Sequence, residues 1–573
     1  MMPTGTPDEG ANDSVSAWLS FSESRTPHLT WPLATNTPTA LDDARAKLDQ
    51  EIEAASAAVT VFRSHRNLCL PIGRLPSKIL AHIFFQLATD AEEIPRKRGI
   101  LRYFSGHGNF FRPEQSIYRV LGWIRVTHVC HRWRDVALDS PTLWGVDVCS
   151  LRAATNERLR RAKRAPLDVY WRCRPTVLYP DSMHMNMTTH VHGADREAFH
   201  RALEGALDHT RTLNLQSLEA GDIPLLTPLL LKAAPLLESF VCEQQFTLMS
   251  LTRSCPVALA LPVNLFGGIT PRLRRVALVD VLIPLHESLY AGVIDLSLRS
   301  AISPGLSDQF TRSLFLDLFE LMPKLEVLEL QQTVPRRAEE GALSSALDAP
   351  ARRVFLPHLR RLEVVENLES CLWFLGSVAI PPSVALFIEY NTSSVSLAIE
   401  LCSLIQRNGS ASPIVCLSLD IAYEGIHFEC WRTNPKELFA LPLKDDSFVA
   451  LKPPDISFRL KECNTSKQRQ QLLRGVLDSL GRDPDSVVAL RALSDFDTNI
   501  DWRMLLGRFR AVQQLAVGGT VVPSLVSGFG SLIRGFRRAF GKPPIPDPAG
   551  LQWLFPNLHH LKLEHAKFLD GHN

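Results

Sequence analysis

The sequence predicts an α/β chain in two parts. A short N-terminal helical module comes first, followed by an irregular solenoid in which parallel strands alternate with covering helices. Three observations carry this. Apolar residues recur at helical spacing between Leu41 and Trp144. A leucine-based repeat with alternating apolar positions returns eight times after about residue 166. And 573 residues exceed what one compact core organises, which favours modules or a repeat array.

The composition is that of an ordinary folded chain, 45% hydrophobic and 21% charged. A formal net charge of +2 provides no global field for nucleic acid or an anionic membrane, so neither is expected as a partner. Eleven cysteines include no C-x-x-C pair, which fits free thiols in a reducing compartment. The start, MMPTGTPDEGANDS, lacks the apolar core of a secretory signal. The most apolar run, IPLLTPLLLKAAPLLESFV at 223–241, holds three prolines, Lys232 and Glu238, poor material for a membrane span. A cytoplasmic or nuclear location is expected.

Residues 1–37, rich in Thr, Pro, Ser and Asp, are expected to be a disordered tail. Over 38–69, Leu41, Ala44, Leu48, Ile52, Ala55, Val59 and Phe62 recur every three or four residues with charges between them, an amphipathic helix of coiled-coil type. In LPIGRLPSKILAHIFFQLA at 70–88, Pro76 stands at a helix start, and Ile79, Leu80, Ile83, Phe84 and Leu87 make one wide apolar stripe. Residues 89–120 break this pattern and are expected to be an inserted loop. A second helix is expected over 125–138, with Val126, Val129, Cys130, Trp133 and Ala137 on one face. Ser140-Pro141 signals a new start, and Leu143 and Trp144 follow.

The repeat reads Pro-x-Leu-x-x-Leu-x-Leu. Its clear copies are PLLESFVC (235–242), PRLRRVAL (271–278), PKLEVLEL (323–330), PHLRRLEV (357–364) and PNLHHLKL (556–563). Weaker copies are VIDLSL (293–298), IVCLSL (414–419) and VQQLAV (512–517). Each copy predicts a strand with one buried face, and stacked copies predict a parallel sheet over 166–573. The segment 421–470 breaks the pattern most.

Several side-chain groups suggest chemistry. His128, Cys130 and His131 are metal-ligand types, but on one helix residues 128 and 130 point about 200° apart, so no metal site is expected. Cys130 on an apolar stripe is not an activated thiol. SMHMNMTTHVHG (182–193) holds thioethers and imidazoles suited to copper(I), with a polar loop as the ordinary explanation. The basic runs RLRRAKR (158–164) and RGFRRAFGK (534–542) fit solvated helix faces. His427-x-x-Cys430 has no further ligand nearby. No phosphate-loop, serine-elbow or zinc-protease motif occurs, so no enzyme and no cofactor is expected.

Leu75, Pro76, Ile79, Leu80, Ile83, Phe84, Leu87, Val129, Cys130, Trp133, Ala137, Pro141, Leu143 and Trp144, in that order, resemble an F-box of the fungal F-box-like type. The 89–120 insertion departs from the family's short link between the two halves. The resemblance covers about 70–150 and implies a docking module. F-box proteins bind the Skp-type adaptor of a cullin–RING (SCF-type) ubiquitin ligase and carry a target on a second domain, often of leucine-rich repeats. The implied adaptor-binding residues are Leu75, Pro76, Ile79, Leu80, Ile83, Phe84, Val129, Trp133, Pro141, Leu143 and Trp144. On the repeats, Val241, Ala277, Ser297, Glu329, Glu363, Ser418, Ala516 and Lys562 are expected to face outward, with Glu243, Arg299, Gln331 and Glu564 on the same target-binding surface. Rival expectations are a non-ligase interaction scaffold with a decayed F-box and, more remotely, a metal-dependent enzyme.

Overall fold

The computed structural model describes residues 9–26, 37–101, 122–149, 154–172, 199–200, 203–218, 222–244, 259–282, 287–300, 311–335, 352–391, 394–408, 413–422, 425–433, 454–461, 466–480, 484–494, 500–519, 521, 525 and 555–564. The chain divides into two compact units, Met1–Val146 and Asp147–Asn573. The fold is mixed α/β with a large, mostly parallel sheet.

The first unit is helical. The expected disordered tail contains a helix, α1 (Glu9–Arg25). That stretch has no proline. Its Trp18 meets Phe62 edge-on at 5.8 Å, and Arg25 pairs with Glu51 at 2.8 Å. Both partners lie on α2 (Pro38–Cys69), the long amphipathic helix. Next, α3 (Ser77–Leu101) runs thirteen residues past the expected end at 88, so the first part of the supposed loop is helical backbone. The expected helix over 125–138 is also two elements. A 3-10 turn, Gly122–His128, ends before Cys130, which is extended (φ −159°, ψ 167°) at the N-cap of the helix His131–Leu138. Inside that break the Arg134 Nε–H donates to the Thr127 carbonyl at 2.9 Å, and the Thr127 hydroxyl donates to Ile124 O at 2.7 Å. A short helix, Pro141–Trp144, follows.

Among the described residues, the second unit is built on fourteen strands of one sheet. In chain order they are β1 (Leu167–Arg172), β2 (Thr210–Leu218), β3 (Ser239–Gln244), β5 (Arg275–Val279), β7 (Asp295–Arg299), β8 (Val327–Gln331), β10 (Arg361–Asn367), β12 (Ala385–Asn391), β13 (Cys416–Ala422), β14 (Gly425–Trp431), β15 (Ile456–Lys461), β16 (Ala489–Ser494), β17 (Gln514–Gly519) and β18 (His560–Glu564). Four short strands, β4 (Leu259–Ala260) with β6 (Val281–Leu282) and β9 (Val354–Phe355) with β11 (Val378–Ala379), make two small parallel pairs. Neighbours in the large sheet follow chain order and pair in parallel, except at one place. There β15 lies against β12, and β14 runs antiparallel between β15 and β13. Two of the three strands involved, β14 and β15, lie within 421–470, where the repeat pattern lapses.

The proline of each clear repeat has a local task. Thr270-Pro271-Arg272-Leu273 is a turn closed by Leu273 N–H to Thr270 O at 3.1 Å. The same closure joins Leu237 to Ala234, Leu325 to Met322, Leu359 to Leu356 and Leu558 to Phe555. Proline's preset φ suits the second position of such a turn. Leu237, Leu273, Leu325 and Leu359 are buried by it. The chain then enters a strand whose first N–H groups bond the residue just before the neighbouring strand, as Glu326 and Val327 do to Ile294 O.

One sheet face is apolar. On β8, Leu328 and Leu330 are buried, while Glu329 and Gln331 point the other way. Helices cover the apolar face. In Arg312–Glu320, capped by the Thr311 hydroxyl accepting from Leu314 N–H, Phe315 and Phe319 pack edge-to-face at 5.0 Å. Phe374 of the helix Leu368–Ser377 lies 5.7 Å from Phe319. No helix among the described residues is long and apolar enough to cross a membrane.

Two candidate docking surfaces

The first surface belongs to the helical unit. On α3, Leu80, Phe84 and Ala88 are buried, whereas Ile79, Ile83 and Leu87 lie one residue, about 100°, around the helix. Ile79 is 47% exposed, Leu87 50%, and Ile83 is half-buried. The wide stripe is therefore two stripes, one turned inward and one outward. Pro76 is exposed at its start and Leu75 is half-buried. The Arg132 guanidinium donates to the carbonyls of Gly73 and Leu75, which ties the helix His131–Leu138 to this lead-in. Val129, freed from the helix by the break at Cys130, is exposed.

The remaining residues expected on this surface hold the unit together. Trp133 is half-buried with its ring 5.1 Å from that of Phe84. Leu143 and Trp144 are buried, and Pro141 is half-buried. The Trp144 ring meets Trp123 edge-on at 5.1 Å, and its N–H donates to Ala137 O at 2.9 Å. Leu80, Phe84, Leu143 and Trp144 are thus core residues rather than surface anchors, a correction to the expected set. Their inward turn follows from the unit's size, since a small helical unit has little else to fill its centre. His131 pairs with Asp135 at 2.8 Å on the exposed side.

The second surface is the polar face of the sheet. Strand register places Val241, Ala277, Ser297, Glu329 and Glu363 in one cross-strand row, which continues through Phe387, Ser457, Glu429, Ser418, Arg491 and Ala516 to Lys562. All eight positions expected to face outward lie in this row, but Ala277, Ser297, Ser418 and Ala516 are buried, and Ala516 belongs to an apolar cluster with Cys416, Trp431 and Ala489, so this face is polar only in part. The next row holds Glu243, Arg299, Gln331, Glu389, Arg459, His427, Asp420 and, at its far end, Glu564. Sequence reading missed Glu389, Arg459, Glu429 and Arg491, whose strands lack the Pro-x-Leu prefix. Their alternation, as in ALFIEY and ISFRLK, was the available signal.

Ion pairs run along this face. Arg299 bonds Glu329 at 2.6 Å, Arg361 bonds Glu363 at 2.8 Å, and Arg275 lies 3.4 Å from Asp295. Lys461 and Arg459 both pair with Glu389. Burial works to raise the Glu329 carboxyl, but Arg299, Arg361 and the Ser297 hydroxyl together hold it below the usual carboxylate range. Asp295 goes the other way, raised by burial and by Glu329 against the pull of Arg275 and Arg361. Burial and then Arg459 bring His427 down to about 4.

His427 Nε2 lies 2.9 Å from Ser457 Oγ. Glu429 approaches the same nitrogen, at 3.8 Å, so it does not orient Nδ1 as a catalytic triad requires. His427 and Cys430 lie on opposite faces of β14, with Cys430 buried in the core. Among the described residues, no group of three His, Cys, Asp or Glu is placed to hold a metal ion. The Met/His stretch 182–193 and the basic run 534–542 lie outside the described residues. In the run 158–164, Arg160 and Arg161 pair with Glu157 on the surface, but Arg158 is buried.

No protein-family model matches the chain, and no curated protein matches it. Both surfaces rest on their own geometry.

Proposed function

We propose that this chain is the substrate-recognition subunit of an SCF-type cullin–RING ubiquitin ligase, joining a Skp-type adaptor to a protein target. In this reading residues 70–150 are an F-box and the second unit is an irregular leucine-rich-repeat array. The observation that carries it is the split of the α3 stripe: Leu80, Phe84 and Ala88 anchor the unit, leaving Pro76, Ile79 and Leu87 exposed and Ile83 half-buried, with Val129 exposed as well. Exposed apolar clusters of this kind act as interface anchors. The target sits on the polar sheet face, with Glu243, Arg299, Glu329, Gln331, Glu363, Lys562 and Glu564 among its contacts. The chain supplies no nucleophile. It raises the effective concentration of target beside a charged ubiquitin-conjugating enzyme. It works in the cytoplasm or nucleus without a cofactor.

The test is co-purification with a Skp-type adaptor and its cullin, beside Pro76→Ala with Ile79→Lys. Both sites are exposed, so this variant is expected to fold. Capture by the parent and loss in the variant support the reading. A folded parent that captures no adaptor rejects it and favours a non-ligase scaffold. The continuation of α3 to Leu101, in place of a short link, is the observation on that side.

A further inference from the structure

The helix α2 spans 32 residues, about 48 Å, and none of them is buried. An amphipathic helix of that length is not stabilised by propensity alone and needs a packed face. Its shielding is uneven. Ala44, Glu51 and Ala58, seven residues apart, are part-covered, and Arg25 of α1 reaches Glu51 on this line. Arg25 meets Glu51 and Trp18 meets Phe62, so α1 runs antiparallel to α2 along that flank. The adjoining seam is open but for Phe62, whose ring also meets Trp18 of α1. Leu41, Leu48, Ala55 and Phe62 recur every seven residues, and Arg45, Ile52, Val59 and Arg66 recur every seven between them. These are the alternating spacings of four and three that define a two-stranded coiled-coil seam. All eight residues are exposed, Ile52 by 62% and Phe62 by 57%.

The charges say what covers this seam. The first half of α2 carries Asp42, Asp43, Asp49, Glu51 and Glu53 against Arg45 and Lys47. The second half carries Arg63 and Arg66 with no acid. A parallel second copy sets like halves together. An antiparallel one lays the acidic half on the basic half.

We infer that α2 pairs antiparallel with α2 of a second copy of this chain, making the protein a two-fold homodimer through its N-terminal helices. The seam sets the register. Leu48 packs with Val59 of the second copy and Ile52 with Ala55 of the second copy, at the centre. Asp42 then stands on the flanking line opposite Arg63 of the second copy. The pairing is isologous, so each contact occurs twice. Arg45 and Arg66 fall in the outer layers, where a long stem covers apolar surface and the head reaches water, and their polarity discourages slippage. A dimer of this kind presents two copies of the polar sheet face to one target and raises avidity for a multivalent partner.

The test is sedimentation equilibrium of the full chain over a dilution series. The parent is expected to be a dimer. Ile52→Lys with Val59→Lys changes two exposed positions and is expected to give a folded monomer with unchanged melting of the repeat unit. Asp42→Arg alone, and Arg63→Asp alone, are each expected to weaken the dimer by about tenfold. Combined, they are expected to restore it. A parent that stays monomeric at high micromolar concentration overturns the inference and leaves the seam to a different protein. A dimer that survives the double-lysine variant overturns it as well. Failure of the paired swap to restore association rejects the antiparallel register.

Discussion

Arg299 on β7 reaches across the sheet to Glu329 on β8, 2.6 Å away, and neither side chain is more than a fifth exposed. The Ser297 hydroxyl donates to the same carboxylate oxygen at 3.0 Å. A pair this poorly solvated is costly to break from one side, because the survivor stays charged with little water to hold it. Arg299→Ala is expected to destabilise the second unit by on the order of 2–3 kcal/mol and to raise the Glu329 carboxyl. Arg299→Met with Glu329→Leu is expected to recover most of that loss. Urea unfolding of Arg299→Met, Glu329→Leu and the pair, beside Arg299→Ala, checks it. Additive losses would show that the two side chains act independently.

His427 makes stability depend on acid. Its folded value is pulled down to about 4 by burial and then by Arg459, while its unfolded value is 6.5. Between these values the unfolded chain takes up a proton there that the folded chain refuses. Its stabilising contribution is therefore complete above pH 6.5 and lost as pH falls toward 4. Its size is on the order of 3 kcal/mol. His427→Asn is expected to flatten the fall in melting temperature between pH 6.5 and 4 relative to the parent. Equal slopes would exclude this histidine as the cause.

The two stripes of α3 separate stability from binding. Phe84→Ala removes a buried ring in contact with Trp133 and is expected to cost about 3–5 kcal/mol. Trp144→Ala loses a similar volume and the N–H bond to Ala137 O. Ile79→Lys and Leu87→Lys are expected to change stability by less than about 0.5 kcal/mol. Thermal melts of residues 1–146 within the full chain report this contrast. Equal effects from both stripes would show that the outward one is buried in solution.

The repeat turns carry a smaller, specific effect. Pro323→Ala is expected to cost about 0.5–1 kcal/mol, because it frees the unfolded chain without removing a contact. Leu325→Ala, two residues on, is expected to cost about 2–5 kcal/mol through a cavity under the sheet. Denaturant unfolding of both variants tests the division of labour between proline and leucine.

Much of the sheet was legible. Wherever Pro-x-Leu precedes an alternating run, the strand and its facing are readable, because the turn and the buried leucine are local and the alternation sets the face. Val241, Ala277, Glu329, Glu363 and Lys562 follow from that alone, whereas Phe387, Ser457, Glu429 and Arg491 of the same row do not. The β13–β15 inversion was not legible, since strand order there is decided by pairing between distant segments rather than by any local pattern. In the helical unit, apolar spacing located α2 and α3 but could not say which of two adjacent stripes turns inward. Leu80 and Ile79 differ by one residue and look alike in sequence, and only packing within the unit distinguishes them. The break at Cys130 escaped because Val126, Val129 and Trp133 also fit one unbroken helix. The helix Glu9–Arg25 escaped because the composition of 1–37 as a whole masks a proline-free stretch.

The most direct measurement is a calorimetric titration of the full chain with a purified Skp-type adaptor, repeated with Ile79→Lys and with Arg299→Ala. The account predicts saturable binding by the parent, weakened by at least about tenfold in Ile79→Lys and unchanged in Arg299→Ala. A folded parent that gives no binding at micromolar adaptor, or an Ile79→Lys variant that binds as well as the parent, would contradict it.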